Sequence, residues 1–157
     1  MSAVNFDVCV IGAGPGGYVA AIRAAQTGKT TCIIEREYLG GVCLNVGCIP
    51  SKAMISAAHL KTRIEHDAPE MGLEIKGDVK IDMKKLVTWK QSVCDKMSGG
   101  VAQLLKGNNV TVIRGEANFK TTTQLEVKGA EGTSLVTAKN FIIATGSRPI
   151  EIPGFAI

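Results

Sequence analysis

The sequence predicts an α/β fold that opens on a parallel βαβ unit, continues through a helical segment and carries a small antiparallel insert. Three observations lead there. Residues 6–11, Phe-Asp-Val-Cys-Val-Ile, are mostly apolar and rich in β-branched types, as in a strand buried on both faces. A glycine-rich break, Gly12 to Gly17, separates that strand from an alanine-rich helical run, Tyr18 to Thr27. A second apolar strand, Thr30 to Ile34, follows and ends at Glu35. Strand, turn, helix and strand within roughly thirty residues make one βαβ unit.

The remaining elements follow in order. Gly28 stands where a C-terminal helix cap belongs. Gly40 to Lys52 reads as loop and then as helix through about Ile64, and Asp67 to Asp78 as a polar surface connection. Asp82 is a suitable N-cap for a long helix whose apolar stripe is Met83, Leu86, Val87, Val93, Met97, Val101, Leu104 and Leu105, with Gly107 as its cap. Ser98-Gly99-Gly100 conflicts with that helix, each Gly costing about 1 kcal/mol relative to Ala. Close approach of a backbone or ligand would explain the pair, as would a bend. After Asn108 the period changes to two. Val110–Arg114, Ala117–Lys120, Gln124–Lys128 and Ser134–Ala138 read as short strands, with a hairpin at Gly129 to Gly132. Phe141 to Ala144 reads as a further buried strand running into Thr145-Gly146-Ser147.

Composition bounds the function. The chain has 157 residues, 45% hydrophobic and 20% charged, which suits a buried core and excludes a disordered or fibrous chain. The net charge of +4 comes without a Lys/Arg cluster, so nucleic acid and membrane surfaces are not expected partners. No run of about 18 apolar residues suggests a membrane span. Met1 to Asp7 lacks a basic n-region, and no secretory or transit peptide is expected. Five cysteines without such a signal point to a reducing compartment and to free or redox-active thiols. Residues 1–157 read as one domain.

Two motifs carry chemistry. Gly12-Ala13-Gly14-Pro15-Gly16-Gly17 is G-x-G-x-x-G between a strand and a helix. Gly12 allows the tight turn, Gly14 lets a pyrophosphate approach the backbone, and Gly17 lets helix and strand pack closely. The helix N-terminus offers free N–H groups to phosphates, and Glu35 is placed for ribose hydroxyls. An ordinary glycine-rich turn is the bland alternative, and the motif does not separate NAD from FAD.

The second motif holds Cys43 and Cys48, five positions apart. On a regular helix that is about 7.5 Å of rise, against a disulfide limit of about 7 Å between Cα atoms. A bridged pair therefore requires irregular backbone, which Gly40, Gly41 and Gly47 permit. Pro50 suits a helix starting just after Cys48. A thiol at a helix N-terminus is expected to have a lowered pKa, and Lys52 adds a cation nearby. Two structural cysteines and a zinc site are the competing readings, the latter with His59 and His66 out of metal-binding pattern. A redox disulfide beside a dinucleotide fits best. Cys9, Cys32 and Cys94 read as core thiols, and His59 and His66 as exposed helix residues.

Gly41-Val42-Cys43-Leu44-Asn45-Val46-Gly47-Cys48-Ile49-Pro50-Ser51-Lys52 resembles the active-site segment of the pyridine nucleotide–disulfide oxidoreductases. The likeness extends to Met97–Val101, Gly115–Phe119 and Ile143–Pro149. Leu44-Asn45 and Ile49-Pro50-Ser51-Lys52 are nearest to members that oxidise dihydrolipoamide, whereas those reducing glutathione disulfide or mercuric ion commonly carry Val-Asn and Val-Pro. The resemblance implies a Rossmann-like FAD-binding fold with a helical redox-disulfide segment and an inserted three-stranded antiparallel sheet. It implies tightly bound, non-covalent FAD at the first turn, held by Gly12, Gly14, Gly17, Glu35 and Arg36, with Gly41, Val42 and Lys52 near the flavin, Ala117 at the adenine, and Thr145, Gly146 and Ser147 closing over it. Cys43 would exchange with substrate and Cys48 would face the flavin. The implied reaction is oxidation of protein-bound dihydrolipoamide, with NAD as co-substrate. The implied partners are lipoyl domains of 2-oxo acid dehydrogenase complexes and a second copy in a homodimer. A bacterial cytoplasmic setting fits better than a mitochondrial matrix. The family also carries an NAD domain, a dimer domain and a His–Glu catalytic base that these residues do not match, so the chain reads as an incomplete FAD-binding portion, with a non-catalytic flavin-binding module or a related thiol–disulfide reductase as the alternatives.

Overall fold

The computed structural model describes residues 4–148, 150 and 152–154. Pro149 of the family-like segment and the closing Phe155-Ala156-Ile157 lie outside the described residues. The chain forms two compact units, one from Met1–Glu37 and Leu105–Ile157, the other from Tyr38–Leu104.

The first unit begins with strand β1 (Val4–Ile11), helix α1 (Pro15–Gln26) and strand β2 (Thr31–Glu35). The helix starts three residues before the sequence expectation, because Pro15 is pre-organised for a first turn and lacks only an N–H that would be unpaired there. Gly28 takes the left-handed conformation that ends it, with φ of 80°. Four strands follow after residue 110: β3 (Thr111–Arg114), β4 (Glu116–Phe119), β5 (Gln124–Gly129) and β6 (Gly132–Ile143). They join one six-stranded sheet in the order β3-β2-β1-β6-β5-β4. β3, β2, β1 and β6 are parallel, while β6, β5 and β4 form an antiparallel meander. The expected hairpin is present, with Gly129 paired to Gly132.

Two expectations are corrected here. Ser134–Ala138 and Phe141–Ala144 are not separate strands. β6 runs through Lys139 and Asn140, whose polar side chains bond to Asp7 at its neighbour β1. The insert is therefore continuous with the parallel sheet. Nor are Ile142 and Ile143 buried: among the described residues the pairing of β6 with β5 ends at Thr137, one further bond runs from Ala138 N to Thr123 O, and the strand continues along β1. The core lies where the sheet packs on its own meander, with Phe6, Cys9, Cys32 and Ile34 clustered against Leu125, Val127 and Val136.

The second unit is helical. It contains α2 (Gly41–Asn45), α3 (Cys48–Thr62), a π-helical turn at Arg63–Asp67 and the single turn α4 (Ala68–Glu70). The long helix α5 (Met83–Gly107) begins in it, with Asp82 capping the Lys85 N–H as expected. The segment expected as loop is thus helical from Gly41, interrupted only at Val46 and Gly47. The apolar stripe of α5 is buried at Val101 and exposed at Met83, Val87 and Met97. A Cβ at Gly99 or Gly100 would meet no atom within 4 Å, and α5 runs unbroken through them, so neither close protein contact nor a break accounts for the pair. Contrary to expectation, the stretch Gly41–Glu70 is long and apolar enough to cross a membrane by length and composition. It is also the stretch that holds the cysteine pair.

Candidate functional site

In the sheet unit, the glycine turn is set by backbone crowding. Gly12 has φ of 97°, and a Cβ there would run into the Ala144 carbonyl. A Cβ at Gly17 would run into the Gly12 carbonyl. Hydrogen bonds from Gly12 N to Ile34 O (2.8 Å) and Ala144 N to Ile11 O (2.8 Å) continue the parallel ladder up to the turn. Gly14 differs: a Cβ there would meet nothing within 4 Å, so no protein atom demands glycine. Gly14 is the N-cap of α1 and supplies no side-chain cap, leaving first-turn N–H groups directed outward. Open space beside Gly14 and uncapped donors are what a phosphate-bearing ligand requires.

Glu35 ends β2 and already has two partners. Its carboxylate accepts from Ala13 N at 2.7 Å and from Glu37 N at 2.8 Å. The acid therefore fixes the glycine turn as well as offering lone pairs outward. A cavity of about 180 Å³ opens between these elements, lined by Gly12, Glu35, Arg36, Ala117 and Thr145, all expected from sequence. Gly115 and Glu116 also line it and were not expected. Gly115 has φ of 150° and donates to Glu35 O at 3.0 Å, which brings the β3–β4 turn over the end of β2. Gly146 and Ser147 follow Thr145 as exposed residues outside the cavity lining.

In the helical unit, Gly40 and Gly41 take φ values of 88° and 58°, which turn the chain into α2. Cys43 sits in α2 and Cys48 is the first residue of α3. Between them Gly47, with φ −124° and ψ −104°, breaks the helix, as a bridgeable spacing demands. Both cysteines are free thiols, Cys48 exposed and Cys43 partly so. The neighbouring Cys48 thiol, with burial and the repulsion between the two sulfurs, pushes the Cys43 thiol above its usual range. The Lys52 charge pulls the other way and is outweighed. Gly41 and Val42 precede the pair in α2, and Val42 is exposed. His59 and His66 are exposed on α3 and its π-helical continuation.

Sequence reasoning gave Asn45 no structural role. Its Nδ2 donates to Leu39 O (3.0 Å) and Gly41 O (2.8 Å), and its Oδ1 accepts from Ser98 Oγ on α5 (2.9 Å). One amide thus closes the dithiol segment on itself and ties it to a helix 53 positions away. A polar residue between two cysteines was the available signal for Asn45, and the Ser98-Gly99-Gly100 conflict in the α5 helix was the one for Ser98.

A Rossmann-like turn and a dithiol across a broken helix together define a class. The chain belongs to the Pyridine nucleotide-disulphide oxidoreductase family, which it matches over residues 6–156. It is similar to the dihydrolipoyl dehydrogenase of Geobacillus stearothermophilus, 53% identical over 153 residues, covering 98% of this chain and 32% of that protein. The dihydrolipoyl dehydrogenase of Halobacterium salinarum is 47% identical over 152 residues, covering 95% and 31%. Among solved structures, the copper(II) complex of the HOCl-induced flavoprotein disulfide reductase RclA from Escherichia coli matches with a TM-score of 0.74 and 25% identity, over 98% of this chain and 31% of that one. The chain spans about a third of the length of the curated relatives it matches.

Proposed function

We propose that this chain is the flavin-binding and redox-dithiol portion of an enzyme that oxidises protein-bound dihydrolipoamide to lipoamide with NAD. The observation that carries the reading is the pair of free cysteines, Cys43 in α2 and Cys48 opening α3, on either side of the glycine break at Gly47. Identity of about half to two dihydrolipoyl dehydrogenases supports the choice of substrate.

The residues of the sheet unit suit FAD. Uncapped N–H groups and the open space at Gly14 suit its pyrophosphate. The cavity beside Glu35, Arg36 and Ala117 suits its adenosine, and Thr145 with Gly146 and Ser147 is assigned to cover it. FAD held there would supply a two-electron acceptor between the reduced dithiol and NAD. The remaining chemistry belongs to the thiols. In the oxidised pair, a substrate thiolate attacks Cys43 Sγ, the Cys43–Cys48 bond breaks, and Cys48 leaves as thiolate. Cys48 is the better leaving group because it begins α3, where the helix dipole favours negative charge. The second substrate thiol then attacks the substrate sulfur of the mixed disulfide, closes the lipoyl ring and releases Cys43. Lys52 holds positive charge near the pair throughout.

The same reading assigns lipoyl domains of 2-oxo acid dehydrogenase complexes as partners, a homodimer as the working state and the bacterial cytoplasm as the setting. Cys43→Ser or Cys48→Ser in the full-length protein is expected to lower NAD-linked dihydrolipoamide turnover by at least about 10³-fold, with bound flavin retained in the visible spectrum. Normal turnover in either variant would refute the mechanism.

A further inference from the structure

We propose that Cys9 and Cys32 are a second dithiol, built into the core of the sheet unit, that closes to a cross-strand disulfide on oxidation by a peroxide. Cys9 on β1 and Cys32 on β2 are register partners in parallel strands. Paired strands lie about 4.8 Å apart, and partners in register project to the same face. A disulfide accepts Cα separations of roughly 4.4–6.8 Å, so bridging needs side-chain rotation and no backbone shift. Both thiols are free, both have 0% exposure, and each shifts the other's protonation. Their surroundings are apolar: Phe6, Ile11, Ile34, Leu125, Val127 and Val136 share the cluster. A disulfide has no polar atom to desolvate and draws the two sulfurs closer, so this core accepts the product.

The polarity of the pair sets the order of events. Cys32 keeps its proton well above the usual thiol range, because it is shared with Cys9 and both lie away from water. The same contact holds the Cys9 thiol below its usual range, so Cys9 sulfur is the nucleophile. It attacks one oxygen of hydrogen peroxide, the O–O bond breaks, and Cys9 becomes a sulfenic acid as one water leaves. Cys32 sulfur then attacks Cys9 sulfur, the S–O bond breaks, the S–S bond forms, and a second water leaves. Two thiols are oxidised and one peroxide is reduced. A small uncharged peroxide reaches the pair through local opening of the sheet. The bridge ties together the strands that lead into Gly12 and Glu35, and it stands apart from the Cys43–Cys48 chemistry.

The test is peptide mapping of the full-length folded protein after hydrogen peroxide treatment. Peroxide is quenched, free thiols are alkylated in denaturant, and the digest is weighed. The Cys9 and Cys32 peptides are expected joined, lighter than their sum by two hydrogen atoms and separated by dithiothreitol. In Cys32→Ala, dimedone is expected to capture a sulfenic acid at Cys9. Recovery of both peptides separately and alkylated, in a sample whose Cys43 and Cys48 are bridged, would overturn the proposal, as would a bridge that forms only in urea. The wild-type map decides the matter even if Cys32→Ala fails to fold.

Discussion

The glycine turn and the dithiol segment both depend on glycine, for different reasons. At Gly12 and Gly17 an added side chain would meet backbone carbonyls, which have nowhere to go. At Gly40 the obstacle is the Leu44 side chain, and at Gly47 it is Val42, with a carbonyl at 3.1 Å and a methyl at 3.3 Å. The turn is therefore fixed by packing of strand, helix and strand. The dithiol segment is fixed by its own left-handed residues and by one amide. A cofactor cradle gains from the first kind of rigidity. A pair of sulfurs that must alternate between bonded and unbonded gains from the second.

That contrast breaks most sharply at Gly17. Gly17→Ala is expected to destabilise the full-length protein by about 3 kcal/mol or more, because neither partner can relax, and to release flavin. Gly47→Ala should cost about 1 kcal/mol, since the listening neighbour is a side chain as much as a carbonyl. Urea unfolding with flavin absorbance measures both, and equal losses would erase the distinction. Next comes Asn45→Ala, which removes the hydrogen bonds to Leu39, Gly41 and Ser98. A loss of about 2 kcal/mol is expected, together with slower thiol–disulfide exchange at Cys43 and intact flavin binding. Stopped-flow mixing with dihydrolipoamide would measure that rate, and an unchanged rate would show that the amide serves stability alone.

The smallest effect concerns acid. Lys139 at 2.7 Å and Thr30 beside it hold the Asp7 carboxyl well below the usual carboxylate range. The unfolded value is about 3.9, so below it the unfolded chain binds the extra proton first. The contribution of Asp7 is present above about pH 4 and is lost as pH falls towards the native value. Asp7→Asn is expected to lower Tm at neutral pH, where the contribution is present, and to flatten its decline with acid. Hydrogen exchange should place the weakening in the sheet unit first, because Asp7, Thr30 and Lys139 all belong to it.

Much of this architecture was legible because it is written locally. The βαβ unit shows as two apolar strands around a glycine turn, and the cysteine spacing already demanded a broken helix. What escaped was set by distant partners. Lys139-Asn140 looked like the end of a strand, yet those residues face Asp7, more than 130 positions earlier. The Glu35 bond to Ala13 and the Asn45 bond to Ser98 each join segments that sequence pattern treats separately. The direction of the Cys43 shift was not written locally either: Lys52 was visible, but how far the Cys48 thiol outweighs it depends on the folded arrangement.

The pairing of β1 with β6 also dictates an order of assembly. Residues 4–11 leave the ribosome early, yet the strand that completes their parallel pairing, residues 132–143, follows only after α1 to α5 and β2 to β5. Loop closure over such a span is slow relative to local helix formation, so α2 to α5 have time to form inside the open loop. Until β6 arrives, one edge of β1 stays unpaired and the apolar face around Phe6 and Cys9 lacks its meander. Synthesis of this chain thus passes through a sticky half-sheet, and the rate at which residues 132–143 emerge sets how long the nascent polypeptide remains open to aggregation or to capture by chaperones.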